Sequence, residues 1–422
     1  MSDSSGIPLH PSDARAHARG REATAWFVPG RIEVLGKHTD YAGGRSLIAT
    51  SDVGITFHAR RLSDPIVRIT SRSVDDTVTL PLSTEQDVPR GHWAGYPAAV
   101  VSRLVANFGD WVPGAHVTVD ATLPLASGMS SSSAMIVGLS RVLFDLGGIE
   151  EHPAYQAHIH RPEDLAMYLA CVENGMSFGE LAGHRGVGTF GGSEDHTAML
   201  CAAENSLVQY RFCPAVHEAT VPFPDDYSFV IAVSGVLAEK TGSAMELYNR
   251  AALSTTQIVE KWNKATGRKD VYLADAATAG GDSRDQLRSL TTSDTYLRGR
   301  LEQFMSESEE FVPKAAAALS AGRISEFGRI VDSSQRWAEE GLDNQVPETV
   351  HLQRSARSLG AIAASAFGAG FGGSVWAMVK TPDAPEFTEA WLAEYRRAFP
   401  IPAERASSII TRPGGPARRI ED

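Results

Sequence analysis

Strand-like patterning dominates the first hundred residues. Residues 26–28, 46–50, 53–60, 67–71 and 77–80 each read as short strands rich in β-branched and aromatic side chains. Residues 117–123 alternate apolar and polar positions, and from 134 to 146 the apolar residues recur at helical spacing. Helix-like and strand-like segments then alternate. Residues 227–234 form an apolar run of buried-strand length that follows the Pro- and Asp-rich stretch 221–226, which places a domain boundary near residue 220. Residues 297–321 and 324–340 carry amphipathic helical patterns, and residues 351–366 predict a helix followed by a glycine turn and a strand over 374–380. The pattern is α+β, with one domain over residues 1–220 and a second over 221–422.

Between the strand at 117–123 and the helix at 134–146 lies Pro124-Leu-Ala-Ser127-Gly128-Met-Ser130-Ser131-Ser132-Ser133-Ala134. At a helix N-terminus the first backbone N–H groups lack partners and the dipole is positive, so a polyanion such as a nucleotide phosphate is favoured there. Small residues let the backbone approach, and hydroxyls add donors and a possible Mg²⁺ ligand. A Ser-rich helix cap is the alternative.

Residues 358–379 carry no charge and approach the roughly 20 residues that cross a bilayer. Gly360, Gly368, Gly370, Gly372 and Gly373 break the stretch, which argues against a membrane span. The same glycines spell GxGxxG, but a dinucleotide fingerprint needs a strand before the loop and a helix after it. The expected order here is the reverse, leaving a glycine loop that packs against backbone or phosphates.

Composition narrows the partners. A chain of 422 residues, 43% hydrophobic, suits two packed cores, and a net charge of −12 argues against nucleic acid or an anionic membrane as partner. Cys171, Cys201 and Cys213 form neither a CxxC pair nor an even set, which fits a reducing cytoplasm. The polar N-terminus lacks the apolar stretch of a secretory signal.

Two further segments concentrate polar groups on turns. Residues 29–44 run from a strand into Gly36-Lys37-His38-Thr39-Asp40-Tyr41, a density of hydrogen-bonding groups that suits a polyhydroxylated ligand or a solvated turn. A Walker A reading fails, because five residues separate Gly30 from Gly36 and His38 follows the lysine. A metal site at His38 and Asp40 has no third ligand nearby at usual spacing. Residues 186–196 present Glu194, Asp195 and His196 after a glycine-rich turn ending in Gly192.

Together these motifs resemble the galactokinase-like branch of the GHMP small-molecule kinases. Residues 29–41 are similar to a signature reading roughly GRxNLIGEHTDY, residues 124–134 to the phosphate loop PxxxGLSSSA, and residues 368–374 to the glycine-rich third motif. Residues 192–196 resemble the GxxDQ segment, and Trp93 with Tyr96 a WxxY pair. The resemblance implies a two-domain fold, an N-terminal ribosomal-protein-S5-like domain and a C-terminal ferredoxin-like α/β domain. It implies a kinase using ATP and Mg²⁺ on the anomeric hydroxyl of a galactose-like sugar, with no partner beyond that small molecule and no need of more than a monomer. Position by position, it makes Asp195 the catalytic base and Arg31 its electrostatic partner. Lys37, His38, Asp40, Gly192 and Tyr248 fall at the sugar. Ser127, Gly128, Ser130, Ser131, Ser132 and Ser133 fall at the nucleotide, with Trp93 lining the adenine or serving the core. Ser131 and Glu173 match the Mg²⁺ ligands, with Glu180 an alternative to Glu173.

Departures from the pattern bear on the substrate. Lys37 stands where the signature has glutamate, and an ammonium only donates, so it suits an anion such as the carboxylate of galacturonate. An internal salt bridge to Glu33 or Glu194 with a neutral sugar bound is the other reading. His196 replaces glutamine, and about ten extra residues around 176–185 stand before the base. A sensor that binds ATP and sugar without turnover, and a kinase or decarboxylase of mevalonate-type acids, are the competing functions. Retention of Arg31 and Asp195 argues against the sensor, and the His-Thr-Asp-Tyr segment favours sugars over such acids.

Overall fold

The computed structural model describes residues 20–89, 91–124, 127–236 and 242–421. Seven strands of a first sheet precede residue 223: β1 (Ala23–Leu35), β2 (Arg45–Leu62), β3 (Ile66–Ser71), β4 (Asp76–Pro81), β5 (Gly114–Ala121), β6 (Ser206–Arg211) and β7 (Val216–Pro222). A second sheet, all antiparallel, is built from β8 (Tyr227–Val233), β9 (Ala363–Phe367), β10 (Ser374–Lys380) and β11 (Ser407–Thr411), in the order β11-β8-β10-β9. The chain then returns, and β12 (Arg418–Arg419) pairs with β1 to complete the eight-stranded first sheet, ordered β12-β1-β2-β5-β3-β4 with β6 on β2 and β7 on β6.

Residues 46–50 and 53–60, expected as separate strands, are one. The first part of β2 pairs with β6 and the second with β5, so a single long strand changes partner midway. Ile55, Phe57 and Ala59 point into the core while His58 and Arg60 face out, as a strand's period of two requires.

The helices that position the site are α1 (Gly95–Phe108), α2 (Ser131–Gly147), α3 (Pro162–Asn174) and α4 (Glu194–Cys201) beside the first sheet, and α5 (Gly242–Thr266), α6 (Thr295–Ser306), α7 (Val312–Ser320), α8 (Ile324–Trp337), α9 (Pro347–Ser358) and α10 (Ala384–Ala398) later in the chain. One apolar cluster joins Ile32, Phe57 and Leu139 to Phe229, Phe327 and Trp376, so the two sheets share a core.

Two expectations change. The helix expected over 351–366 ends at Ser358, because Gly360 turns the chain at φ +97° and residues 363–367 pair with β10. The glycine loop therefore joins two strands, and the dinucleotide fingerprint fails for want of a following helix. The uncharged stretch is likewise a turn and a hairpin, and among the described residues no helix is long and apolar enough to cross a membrane. Finally, the long helical patterns are interrupted by π turns at Glu307–Phe311 and Ala338–Leu342, the kind of bulge that recurs at functional sites.

Candidate active site

Strand β1 delivers the first groups. Arg31 and Glu33 lie two residues apart, hence on one face, while Ile32 and Val34 are buried in the core. Register shifts flank this pair at Pro29/Arg31 and Glu33/Leu35, and such bulges re-aim side chains beside active sites. β1 then runs into the turn that carries Lys37 to Tyr41. His38 takes the left-handed conformation there (φ 57°). Its Nε2 donates to the carbonyl of Ala369 at 3.0 Å, so Nδ1 accepts from the Tyr41 hydroxyl at 2.9 Å. Arg300 of α6 donates to that hydroxyl and to the His38 carbonyl, fixing the turn from the far half of the chain.

At the start of α4, Asp195 Oδ1 lies 2.6 Å from Arg31 Nε, and Glu194 Oε1 lies 3.7 Å from the same nitrogen. Asp40 Oδ2 accepts from the Glu194 N–H at 3.1 Å, which ties the signature turn to this helix. Gly192 makes the approach possible: a Cβ there would stand 2.4 Å from Asp40 Oδ2. Tyr248 of α5 packs its ring 5.3 Å from His38, and its neighbour Asn249 holds the glycine turn through Phe190 and Gly188. Arg31, Glu33, His38, Asp40, Gly192, Glu194, Asp195 and Tyr248 thus line one pocket, closed on one side by Gly368 and Ala369.

Helix α2 begins beside it. Its N-cap Ser130 is left-handed (φ 62°) and makes no side-chain cap hydrogen bond among the described residues. Leu125 and Ala126 of this loop lie outside the described residues. Gly128 accepts from Arg31 Nη1 at 3.3 Å, and Ser374 Oγ donates to the Ser127 carbonyl. Gly368, at φ +81°, sits so close that a Cβ would meet the Gly128 carbonyl at 2.9 Å. The glycine motif after β9 is thus the backing of the Ser-rich loop.

The two carboxylates flanking α2 converge on Ser133. Its Oγ donates to Glu173 Oε2 at 2.9 Å and lies 3.3 Å from Asp195 Oδ2. α2's first turn thus aims Ser133 at Glu173, two positions along from the Ser131 expected at the metal. Glu180 is removed from consideration, since its side chain is 94% exposed. The extra residues around 176–185 pack on α1, where Arg103 donates to the Met176 and Leu181 carbonyls, and do not line the pocket. His196 stacks beneath, its Nε2 3.4 Å from Glu173. Trp93 lies before α1 and donates to Asp76 Oδ2 at 2.8 Å, packed against the core.

Lys37 departs from its expected place at the sugar. It is 1% exposed, absent from the pocket lining, and its Nζ donates to Ser334 Oγ of α8 at 3.2 Å. Among the described residues no salt bridge joins it to Glu33 or Glu194, the partners expected for it. The charge is answered by Glu307, whose Oε1 accepts from Ser334 and from the Gly36 N–H at 2.7 Å. Glu307 reaches that position because the π turn swings it inward. Glu33 and Glu194 entered the sequence reading only as partners for Lys37 or as part of the acidic turn, and Arg300 and Glu307 not at all; the polar stripe Arg300, Gln303, Glu307 on an otherwise apolar helix face was the available signal for the latter two.

Several buried carboxylates share Arg31. Burial opposes its charge, but Asp195, Glu194 and Glu33 outweigh burial and hold it cationic. Burial pushes Glu33 up to about 7, lifts Glu194 well above the carboxylate range, and raises Asp40.

Known proteins resemble this chain in sequence and fold. Residues 95–177 match the GHMP kinases N terminal domain, residues 315–397 the GHMP kinases C terminal domain, and residues 16–61 the galactokinase galactose-binding signature. The chain belongs to the GHMP kinases, in their galactokinase-like branch. It is 28% identical to a galactokinase of Streptococcus mutans, covering 87% of this chain and 88% of that one. It is 25% identical to one of Haemophilus influenzae, covering 86% and 87%. Its fold is similar to that of Lactococcus lactis galactokinase complexed with galactose, with a TM-score of 0.75 at 21% identity over 96% of this chain and 97% of that one. It is less similar to L. major mevalonate kinase in complex with R-mevalonate, with a TM-score of 0.56 at 15% identity over 94% and 98%.

Proposed function

We propose that the protein transfers the γ-phosphoryl group of ATP to the anomeric hydroxyl of galactose. The observation that carries this reading is the contact of Arg31 with Asp195 inside a pocket walled by the signature turn and beside the uncapped start of α2. Asp195 accepts the proton of the sugar hydroxyl as that oxygen attacks phosphorus. Arg31 keeps the carboxylate ionised and stabilises charge on the transferring phosphoryl group. Asp40, His38, Gly192 and Tyr248 orient the sugar. The nucleotide phosphates meet residues 127–133, and Trp93 is the candidate for the adenine side.

The Ser133 hydroxyl and Glu173 carboxylate, two oxygen ligands 2.9 Å apart, fit Mg²⁺. These two side chains would hold the ion there, and its charge would offset that of the phosphates. The galactokinase relatives support galactose itself over a hexuronic acid, and so does Lys37, whose ammonium is turned away from the pocket. The domain boundary we propose falls where the sheets change, between Pro222 and Tyr227.

The test is ADP release from MgATP with galactose, galacturonate, glucuronate, arabinose, N-acetylgalactosamine and mevalonate, together with loss of the sugar's reducing end. Turnover of galactose with loss of the reducing end is expected. ADP release on none of the six would sink the reading in favour of a binding-only role.

A further inference from the structure

Most polar groups around the pocket are committed to one another. Arg31 holds Asp195, Asp40 accepts from the Glu194 N–H, Glu194 accepts from Ser46, and both ring nitrogens of His38 are engaged. Glu33 is the exception. It lines the same pocket and is only 4% exposed, yet its Oε1 is buried without a hydrogen-bond partner and no described residue donates to its other oxygen. Burying a carboxylate unsatisfied is costly, so stability does not account for an acid at this position. The signature that β1 resembles has asparagine there and glutamate four residues later. In this chain the acid stands at position 33, while the residue at 37 points away toward Ser334.

We propose that Glu33 is a specificity-determining residue of the sugar site, the missing partner of its carboxylate being a hydroxyl of the bound sugar other than the one that reacts at Asp195. The inference rests on the sugar-kinase reading above and deepens it. A pocket lined by the acids Glu33, Asp40, Glu194 and Asp195, whose lining arginine is already engaged by Asp195, suits a neutral hexose better than a hexuronate.

The experiment measures equilibrium binding and, separately, kcat and KM for galactose and its deoxy analogues at C2, C3, C4 and C6, with wild type, Glu33→Gln and Glu33→Met. Wild type should lose about 10–100-fold in affinity for one analogue, the size of a lost hydrogen bond to a charged group. Glu33→Met should lose that same factor on galactose, mainly in KM, and lose nothing further on that analogue, with Glu33→Gln intermediate. Losses of equal size on every sugar would make Glu33 structural and overturn the proposal. Its thermal midpoint serves as the fold control and should equal or exceed that of wild type. Because binding is read apart from turnover, a protein that binds galactose without phosphorylating it would overturn the kinase reading and still test Glu33. Absence of sugar binding would overturn both.

Discussion

The guanidinium of Arg31 and the carboxylate of Asp195 meet at 2.6 Å although 164 residues separate them in sequence. One comes from a bulged strand, the other from the first turn of a short helix, and the pair is the shorter of the two contacts by which Arg31 meets the pocket's acids, Glu194 lying at 3.7 Å. Asp195→Asn keeps the shape and one acceptor but removes the charge that draws the proton. ADP release with galactose should fall by about 10²–10⁴-fold with little change in sugar affinity. Retention of more than a tenth of wild-type kcat would exclude Asp195 as the base.

The convergence of Glu173 and Asp195 on Ser133 gives a test of which hydroxyl serves the metal. Ser133→Ala should raise the Mg²⁺ concentration needed for half-maximal activity at least tenfold, on the order of one lost ligand or charged hydrogen bond. Ser131→Ala should shift it by less than about threefold. A Mg²⁺ titration in which the two variants exchange places would restore Ser131 as the ligand.

Gly192 is required by contact rather than by backbone angle. In Gly192→Ala the new methyl would stand 2.4 Å from Asp40 Oδ2, so either the turn or the carboxylate must move. Overpacking of this kind costs about 1–3 kcal/mol. We expect a lower thermal midpoint and a raised KM for galactose; unchanged values of both would show that the turn yields freely.

Lys37 separates substrate recognition from internal charge balance. Lys37→Met leaves Glu307 buried without the nearby ammonium, so stability should fall by about 1–3 kcal/mol. The preference for galactose over galacturonate should stay within about twofold, because the ammonium faces Ser334. A tenfold shift in that ratio would mean that Lys37 reaches the sugar after all.

The pH dependence of stability follows from Glu33. Burial, together with Glu307 and Asp195, raises its pKa from 4.5 to about 7 against the opposing charges of Arg31 and Lys37. The folded protein then binds this proton more tightly than the unfolded chain. The stability it confers is complete below about pH 4.5 and is lost as pH rises through about 7. Relative to Glu33→Gln, wild type should therefore weaken between pH 5 and pH 8, by on the order of 3 kcal/mol. Urea unfolding of both proteins at the two pH values measures the difference, and a gap independent of pH would contradict the shift.

Much of this architecture was legible from local pattern. The strand at 117–123, the Ser-rich loop and the helix behind it were specified by periodicity and small residues, because helix and strand periods are properties of consecutive side chains. The signature turn and the acidic segment at 192–196 were likewise legible as motifs. What sequence left open depended on contacts between distant segments. Residues 363–367 carry small apolar side chains compatible with either a helix or a strand, and pairing with β10 decided for the strand. Ser131 and Ser133 differ by two positions, about 200° around a helix, so only the placement of α3 could decide which of them meets Glu173. Lys37, standing where the signature has glutamate, left a substrate carboxylate and an internal salt bridge as alternatives. The π turn at Glu307 offered a buried partner on the opposite side, and a buried charge goes where its counter-charge and hydrogen bond are. The sequence by itself determined the elements, the motifs and their chemistry. Tertiary structure decided which of those groups share a pocket, because side-chain direction depends on neighbours that local pattern does not contain.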